Sequence, residues 1–292
     1  MSTAADLASG KGHTDENFPV ASVLIAKKHR PPVMAFYRFA RAADDVADHP
    51  TASRDEKFAL LEQMRASVAG EADTSPEGVA LHHALAACNL SPEHPLDLLE
   101  AFRRDVTKSR YANWDDLIDY CRYSAMPVGR FVLDVHGESR DTWPANDALC
   151  AALQVINHMQ DCAKDYRELN RVYLPLDLMQ QQSLSVEAIA QPKSSPGLRA
   201  VLSEMARLTD RLLARSRPFA GEIRDRRLAL EVSVIQTLAE DLNHRLYSRD
   251  PLADRVHHAK REMPGLLLRA TIQFAAARLR TKRGGVEATS RP

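Results

Sequence analysis

The chain of 292 residues carries 39 basic and 39 acidic residues, so its formal net charge is zero. A balanced charge argues against nucleic acid as a partner, and 45% hydrophobic residues suffice for a sizeable core. The four cysteines have neither a CxxC nor a zinc spacing, which predicts reduced thiols. Residues 1–12 hold no apolar signal core, and no run of about 18 apolar residues predicts a transmembrane helix. We therefore expect a cytoplasmic protein.

Apolar residues recur at spacings of three and four almost throughout the chain, which predicts an all-α fold. Pro31 and Pro32 suit the first turn of a long helix that ends before Pro50. Ser53 and Glu56 form a capping-box pattern for the next helix. Further helices are expected at about 76–88, 95–109, 114–136, 145–168, 197–217, 225–247 and 264–280.

Two segments interrupt this pattern without dividing the domain. Pro127 should kink the helix at 114–136, and residues 184–197 should form a long loop. We expect a flexible N-terminus at 1–16, one helical domain at 17–277, and a basic, disordered tail at 278–292.

A polar stripe marks the first long helix. Its members are spaced by four, three and four residues, which places them on one helical face: Tyr37, Arg41, Asp44 and Asp48. Asp45 lies about 80° from Tyr37 around the helix and is the less suitable ligand. Apolar neighbours argue against the alternative, a solvated polar face.

A second polar stripe lies on the helix predicted at 145–168. Its spacing of three, four and four again defines one face: Gln154, Asn157, Asp161 and Asp165. Carboxylates that face each other from two helices would supply the hard oxygen ligands that Mg²⁺ prefers, with further ligands from water and substrate phosphate. Arg171 and Tyr173 follow this helix and could donate to phosphate. The two stripes therefore predict magnesium, a diphosphate and a helical cavity.

A third segment, from Tyr120 to Arg130, contains small residues and the Pro127–Gly129 pair. Such a segment permits the close approach of a ligand or of another helix, and the sequence leaves both alternatives open.

Together these motifs resemble the squalene/phytoene synthase family, over roughly residues 17–268. The resemblance rests on the two aspartate stripes in this order, on Arg171-x-Tyr173-x-Pro175, and on the segment from Tyr120 to Gly129. It implies the all-α isoprenoid synthase fold, in one helical bundle around a central cavity.

The resemblance also implies roles for individual residues. Asp44, Asp48, Asp161 and Asp165 would bind Mg²⁺, or alternatively Mn²⁺, assisted by Asn157. The remaining residues would hold diphosphate or water, or line the cavity: Tyr37, Arg41, Tyr120, Gln154, Gln160, Arg171, Tyr173 and Tyr247.

Three segments (16–22, 124–130 and 160–169) are most similar to family members that act on presqualene diphosphate. Such members expel diphosphate and add water, giving hydroxysqualene for squalene and hopanoid synthesis. This chain has Gln160 where the family usually has Arg, and Ser-Ala-Met-Pro in place of Val-Ala-Gly. Both departures favour this second-step reaction over the condensation of two substrates.

Alternative functions remain open at this stage. One is a head-to-head prenyltransferase that makes presqualene diphosphate, squalene, dehydrosqualene or phytoene. Others are a non-catalytic helical scaffold and a metal-dependent phosphohydrolase.

The chain contains no dinucleotide fingerprint, so we expect water rather than NADPH to end the reaction. Glu16, Asn17 and Gln160 are candidates for holding that water, and Phe18, Phe36, Phe39 and Tyr120 for the apolar wall. A C30 substrate implies peripheral contact with the inner face of the membrane, aided by basic residues of the tail. The enzymes of neighbouring squalene-pathway steps are further potential partners.

Overall fold

The computed structural model describes residues 25–288, without the side chains of 277 and 279–288. Twelve α-helices occur in this part of the chain. They are α1 (Arg30–Asp48), α2 (Arg54–Ala69), α3 (Pro76–Ala87), α4 (Glu93–Asp105), α5 (Trp114–Ser124), α6 (Met126–Val135), α7 (Trp143–Leu169), α8 (Leu176–Gln181), α9 (Pro196–Ser216), α10 (Phe219–Glu222), α11 (Arg226–Ser248) and α12 (Met263–Ala288). No strand forms within 25–288; the backbone there has one isolated bridge, between Arg110 and Val172. The predicted all-α class is confirmed.

Local signals set the helix ends much as the sequence predicts. Ser53 caps α2 by accepting a hydrogen bond from the Glu56 amide at 3.2 Å. Ser195 caps α9, whose first residue is Pro196. The predicted loop at 184–197 contains a short 3-10 helix, Val186–Ala190, before that cap.

The helix predicted at 114–136 is two helices rather than one kinked helix. Helix α5 ends at Ser124, and α6 begins at Met126 with Pro127 in its first turn. Proline has no amide hydrogen to donate to the preceding helical turn, and its ring clashes with the backbone of that turn. The helix therefore ends before Pro127 and a new one begins.

The last helix extends past 280 to Ala288, so part of the tail that we expected to be disordered has helical backbone. Arg, Lys and Ala are strong helix formers, and they favour helical backbone here despite the glycines. The predicted N-terminal segment 1–16 lies outside the described residues.

Two apolar clusters form the core. One gathers α1 to α4, and the larger one surrounds α7, which runs through the domain and packs against α5, α6, α9 and α11. Gly129 of α6 permits the closest approach, because a Cβ built there would lie 2.0 Å from the Asn146 side chain of α7. Gly129 also lines a cavity, so both interpretations of the 120–130 segment hold.

Candidate active site

A cavity of about 450 Å³ opens between α1, α4, α6, α7 and α11, within the size range of small-molecule sites. Its wall is predominantly apolar and includes Phe36 and Phe131, whose rings stack with centroids 4.3 Å apart. Polar groups from the two predicted stripes also line it, namely Tyr37, Arg41, Asp44 and Gln154. The structure thus brings α1 and α7 together around one cavity.

The carboxylates of the two stripes share one electrostatic field. Burial, followed by repulsion from Asp48, raises the pKa of Asp44 to about 7. Burial, followed by repulsion from Asp161, raises the pKa of Asp165 to about 7, and Asp48 of the facing helix adds to this shift. Buried carboxylates whose pKa is raised further by a neighbouring like charge mark a site suited to a cation.

Arginines offset part of this negative charge. The Arg41 guanidinium pairs with Asp44 and, at 2.7 Å, with Asp45. Asp45 is buried against Arg41 rather than aligned with the stripe, as its position on the helix predicted. Arg41, which we expected to hold diphosphate, is an internal counterion in this structure.

Arg171 links α1 to α4 just beyond the end of α7. Its guanidinium lies 2.7 Å from the Asp48 carboxylate and 4.0 Å from that of Asp105, and it donates to the Asp105 carbonyl at 3.1 Å. The side chains of Arg171 and Asp105 are only 7% and 4% exposed. Arg171 therefore holds the carboxylates in place instead of pointing at solvent as a ready phosphate donor.

Asp105 is a residue that the sequence analysis missed. It accepts hydrogen bonds from the Tyr120 hydroxyl at 2.7 Å and the Tyr173 hydroxyl at 3.3 Å. Burial raises its pKa to about 6, against the opposing charge of Arg171. It continues the apolar face of Leu98, Ala101 and Phe102 at helical spacing, and this signal could have identified it.

His158 is a second buried residue beside the carboxylates that the sequence analysis did not single out. Its ring stacks on Tyr173 with centroids 3.5 Å apart, and burial lowers its pKa to about 3, so it is neutral. In the sequence it falls on the stripe of Val155 and Cys162, which predicts a buried face.

Three predicted cavity residues lie elsewhere. Tyr120 is buried beside Asp105 and is not part of the cavity wall. Tyr247 is 38% exposed and donates to Asp210 at 2.8 Å on the outer side of α11. Phe39 is fully buried in the core. Core packing explains the position of Phe39, and hydrogen bonds to aspartates explain the positions of Tyr120 and Tyr247. The spacing of aromatic residues along a helix does not distinguish these roles from a place in the cavity wall.

Gln160 also differs from its expected role as a holder of water. Its amide donates to the Val256 carbonyl and so ties the loop after α11 to α7. The other candidates for this role, Glu16 and Asn17, and the wall candidate Phe18 lie outside the described residues. Within the cavity wall, Gln154 donates to the Ser124 hydroxyl at 3.1 Å.

Asn157, Asp161 and Asp165 are half-buried on α7, about one, two and three turns beyond Gln154. Asp161 contributes to the field at Asp165, at Cys162 and at His257 of the loop 249–259. The structure therefore places all four residues of the second stripe on α7, and of these Gln154 lines the cavity.

The Tyr120 hydroxyl should stabilise the ionised Asp105. We expect Tyr120→Phe to lower the free energy of unfolding by about 1.5–3 kcal/mol at pH 8, the usual range for a hydrogen bond to a charged group. The loss should be smaller at pH 5, below the pKa of about 6 at which Asp105 takes up a proton. Urea unfolding at both pH values measures this, with Tyr123→Phe on the same helix as the control. An equal loss for both variants would contradict the assignment.

Asp165 should destabilise the metal-free protein at high pH. Its pKa is raised from 3.8 to about 7, so the stability that its proton contributes is complete below about pH 4 and is lost as the pH rises through 7. Asp165→Asn should therefore raise the Tm at pH 8, by roughly 2–4 °C for each kcal/mol of repulsion removed, and change it less at pH 5. Thermal unfolding in chelator provides the measurement, and the exposed Asp73→Asn is the control. A lower Tm at pH 8 would refute the repulsion.

The sequence matches a known protein family and named bacterial relatives. The family model for squalene/phytoene synthase matches residues 11–262. A hydroxysqualene synthase of Zymomonas mobilis is 56% identical over 265 residues, which are 90% of this chain and 89% of that protein. A hydroxysqualene synthase of Rhodopseudomonas palustris is 55% identical over 257 residues, 88% of each chain.

A solved structure agrees with these relatives. The squalene synthase HpnC from Alicyclobacillus acidocaldarius superposes with a TM-score of 0.70 at 33% identity, covering 83% of this chain and 91% of that one. The predicted isoprenoid synthase fold is confirmed. The chain belongs to the squalene/phytoene synthase family of isoprenoid-synthesising enzymes.

Proposed function

We propose that this enzyme converts presqualene diphosphate to hydroxysqualene, with Mg²⁺-assisted loss of diphosphate and capture of water. The observation that carries the proposal is a group of mutually repelling carboxylates, of which Asp44 lines a mainly apolar cavity. The carboxylates suit a metal-bound diphosphate, and the apolar wall suits a long hydrocarbon. The names of the two bacterial relatives point to the same product.

The donor set fits a hard divalent cation, since it consists of carboxylates, and burial and then repulsion raise the pKa of two of them, Asp44 and Asp165. Among the described residues, no three of these aspartates bring ligand atoms within 4.8 Å of one another. Asp44, Asp48, Asp161 and Asp165 would therefore supply one or two oxygens each, and diphosphate and water the rest, as is usual for Mg²⁺. When bound, the ion neutralises charge on the departing diphosphate.

The residues of the chain then have separate tasks. Arg41, now paired with aspartates, can shift toward the diphosphate when cations replace it as their counterion. Arg171 keeps Asp48 and Asp105 in place. Phe36 and Phe131 exclude water from the carbocation, and their faces stabilise positive charge. The hydrogen-bonded Ser124 and Gln154 are the polar pair of the wall that we propose to hold the attacking water.

Product analysis tests the proposal directly. With presqualene diphosphate, Mg²⁺ and H₂¹⁸O, without reductant, we expect a C30 alcohol that carries one ¹⁸O. Ser124→Ala should lower the share of alcohol among the products. Asp161→Asn should abolish diphosphate release while the Tm is retained, because it removes a metal ligand but keeps the side-chain size.

Other products would decide between the alternatives. Squalene that forms only with NADPH, and without alcohol, would refute water capture. Turnover of two farnesyl diphosphates to presqualene diphosphate or phytoene, with presqualene diphosphate left untouched, would identify a head-to-head prenyltransferase instead.

We also propose that the enzyme loads its substrate at a membrane surface. Among the described residues, no helix has both the length and the apolarity to cross a bilayer. Helix α12, however, exposes Leu267, Leu268 and Ile272 at 42%, 64% and 61%. The exposed Lys260 and Arg261 precede it. An apolar helix face beside basic residues suits an anionic lipid surface.

Vesicle flotation tests this surface. Leu268→Ser combined with Ile272→Ser should reduce binding to anionic vesicles several-fold, whereas Ala275→Ser, an exposed change on the same helix, should not. Removal of residues 278–292 tests the basic tail separately. Binding that is unchanged in the double variant would exclude α12 as the membrane contact.

A further inference from the structure

A cluster of two histidines and an aspartate lies apart from the aspartate site. His29 ends a short 3-10 helix and caps α1, His136 follows α6, and Asp225 caps α11. One ligand atom from each lies within 4.8 Å of the other two, and all three side chains are half-buried. His29 is 15 positions before Asp44, or about 22 Å along the helix axis. The two sites are therefore distinct.

A hydrogen bond already orients His136 as a ligand. Nδ1 of His136 donates to the Val132 carbonyl at 2.8 Å, which leaves the lone pair on Nε2. The rings of His29 and His136 lie side by side, with their centroids 4.1 Å apart. A hydrogen bond from one ring nitrogen to a carbonyl is the arrangement that fixes metal-bound imidazoles.

Hydrogen bonds from backbone amides fix the position of the Asp225 carboxylate. Its Oδ1 accepts from the amides of Arg227 and Leu228 at 2.8 and 3.0 Å, so Oδ2 remains as a candidate ligand. The buried Glu138, two residues after His136, accepts from the amides of Arg224 and Asp225 at 2.9 and 2.8 Å. This contact joins the end of α6 to the start of α11 and keeps His136 beside Asp225.

We infer that His29, His136 and Asp225 form a binding site for a transition-metal ion of the Zn²⁺ class, which fastens the start of α1 to α6 and α11. Two imidazoles and a carboxylate favour Zn²⁺ over Mg²⁺, and three protein ligands leave a fourth position for water. Zn²⁺ bonds of about 2.0 Å place tetrahedral ligands about 3.3 Å apart. Metal binding therefore requires the three side chains to rotate toward one ion from their present separation of up to 4.8 Å.

The position of the site gives it a structural role. Helices α1, α6 and α11 contribute Val33, Val132, Leu133, Leu228 and Val232 to the cavity wall. A metal that joins these helices near their ends would hold that part of the wall closed. This inference does not depend on which product the enzyme makes.

Zinc binding tests the site in the full-length protein. Cys88 is exposed and would itself capture Zn²⁺, so every sample carries Cys88→Ser. Millimolar Mg²⁺ is present throughout to occupy the aspartate site. A chromophoric chelator reports Zn²⁺ affinity, Co²⁺ absorption reports tetrahedral coordination, and Tm reports stabilisation. We expect one Zn²⁺ per chain, tetrahedral Co²⁺ bands and a higher Tm with Zn²⁺.

Single substitutions then identify the ligands. His29→Gln, His136→Gln and Asp225→Asn should each weaken Zn²⁺ binding at least about 10-fold and abolish the Tm rise. Asn can still cap α11, so Asp225→Asn keeps the fold even if a histidine variant does not. His83→Gln, an exposed histidine, should change nothing. Failure of the parent to bind, or equal affinity in the parent and Asp225→Asn, would overturn the inference.

Discussion

The repulsion among carboxylates on α1, α4 and α7 is the constraint on which the rest of the structure depends. Burial, and after it repulsion from neighbouring carboxylates, raises the pKa values of Asp44, Asp105 and Asp165, and Asp48 and Asp161 contribute to that repulsion. Isolated charges of one sign are costly to bury. The fold tolerates them because arginines and tyrosine hydroxyls are built in as partners.

Arg171 is the central partner in this arrangement. It contacts Asp48 of α1 and Asp105 of α4, while Tyr120 and Tyr173 donate to the same Asp105. These contacts join the two core clusters, and Asp48 and Asp105 act electrostatically on Asp44 of the cavity wall. The carboxylates are thereby fixed before any cation or substrate binds, and such preorganisation is what electrostatic catalysis requires.

The sequence predicted the helices and both stripes because they depend on local periodicity. Asp44 and Gln154 reach the cavity as spacing on one helical face requires. Roles that depend on the partner helix were not predictable in this way. Tyr120 was expected in the cavity wall, but its hydroxyl donates to Asp105, which is 15 positions away on another helix. Periodicity within one helix does not reveal such a partner. Gln160 binds the Val256 carbonyl, 96 positions away. Periodicity shows which face a residue occupies but not what lies opposite.

The same distinction explains the clearest differences in the helices. A proline in the first turn of a new helix and a proline that kinks an old one have the same sequence signal, and only packing decides between them at Pro127. The apolar residues of α12 fit a buried face equally well, yet Leu268 and Ile272 are exposed. The sequence of a helix does not show whether its apolar face packs against the same chain or is left for a partner outside it.

Our central claim is that the carboxylates of α1 and α7 together hold one metal–diphosphate group. The most direct measurement is the binding of Mn²⁺, followed by electron paramagnetic resonance, in the presence of inorganic pyrophosphate. Asp44→Asn on α1 and Asp161→Asn on α7 should each weaken Mn²⁺ binding at least about 10-fold. If either variant binds Mn²⁺ and pyrophosphate as tightly as the parent, the two helices do not share the site and the account is wrong.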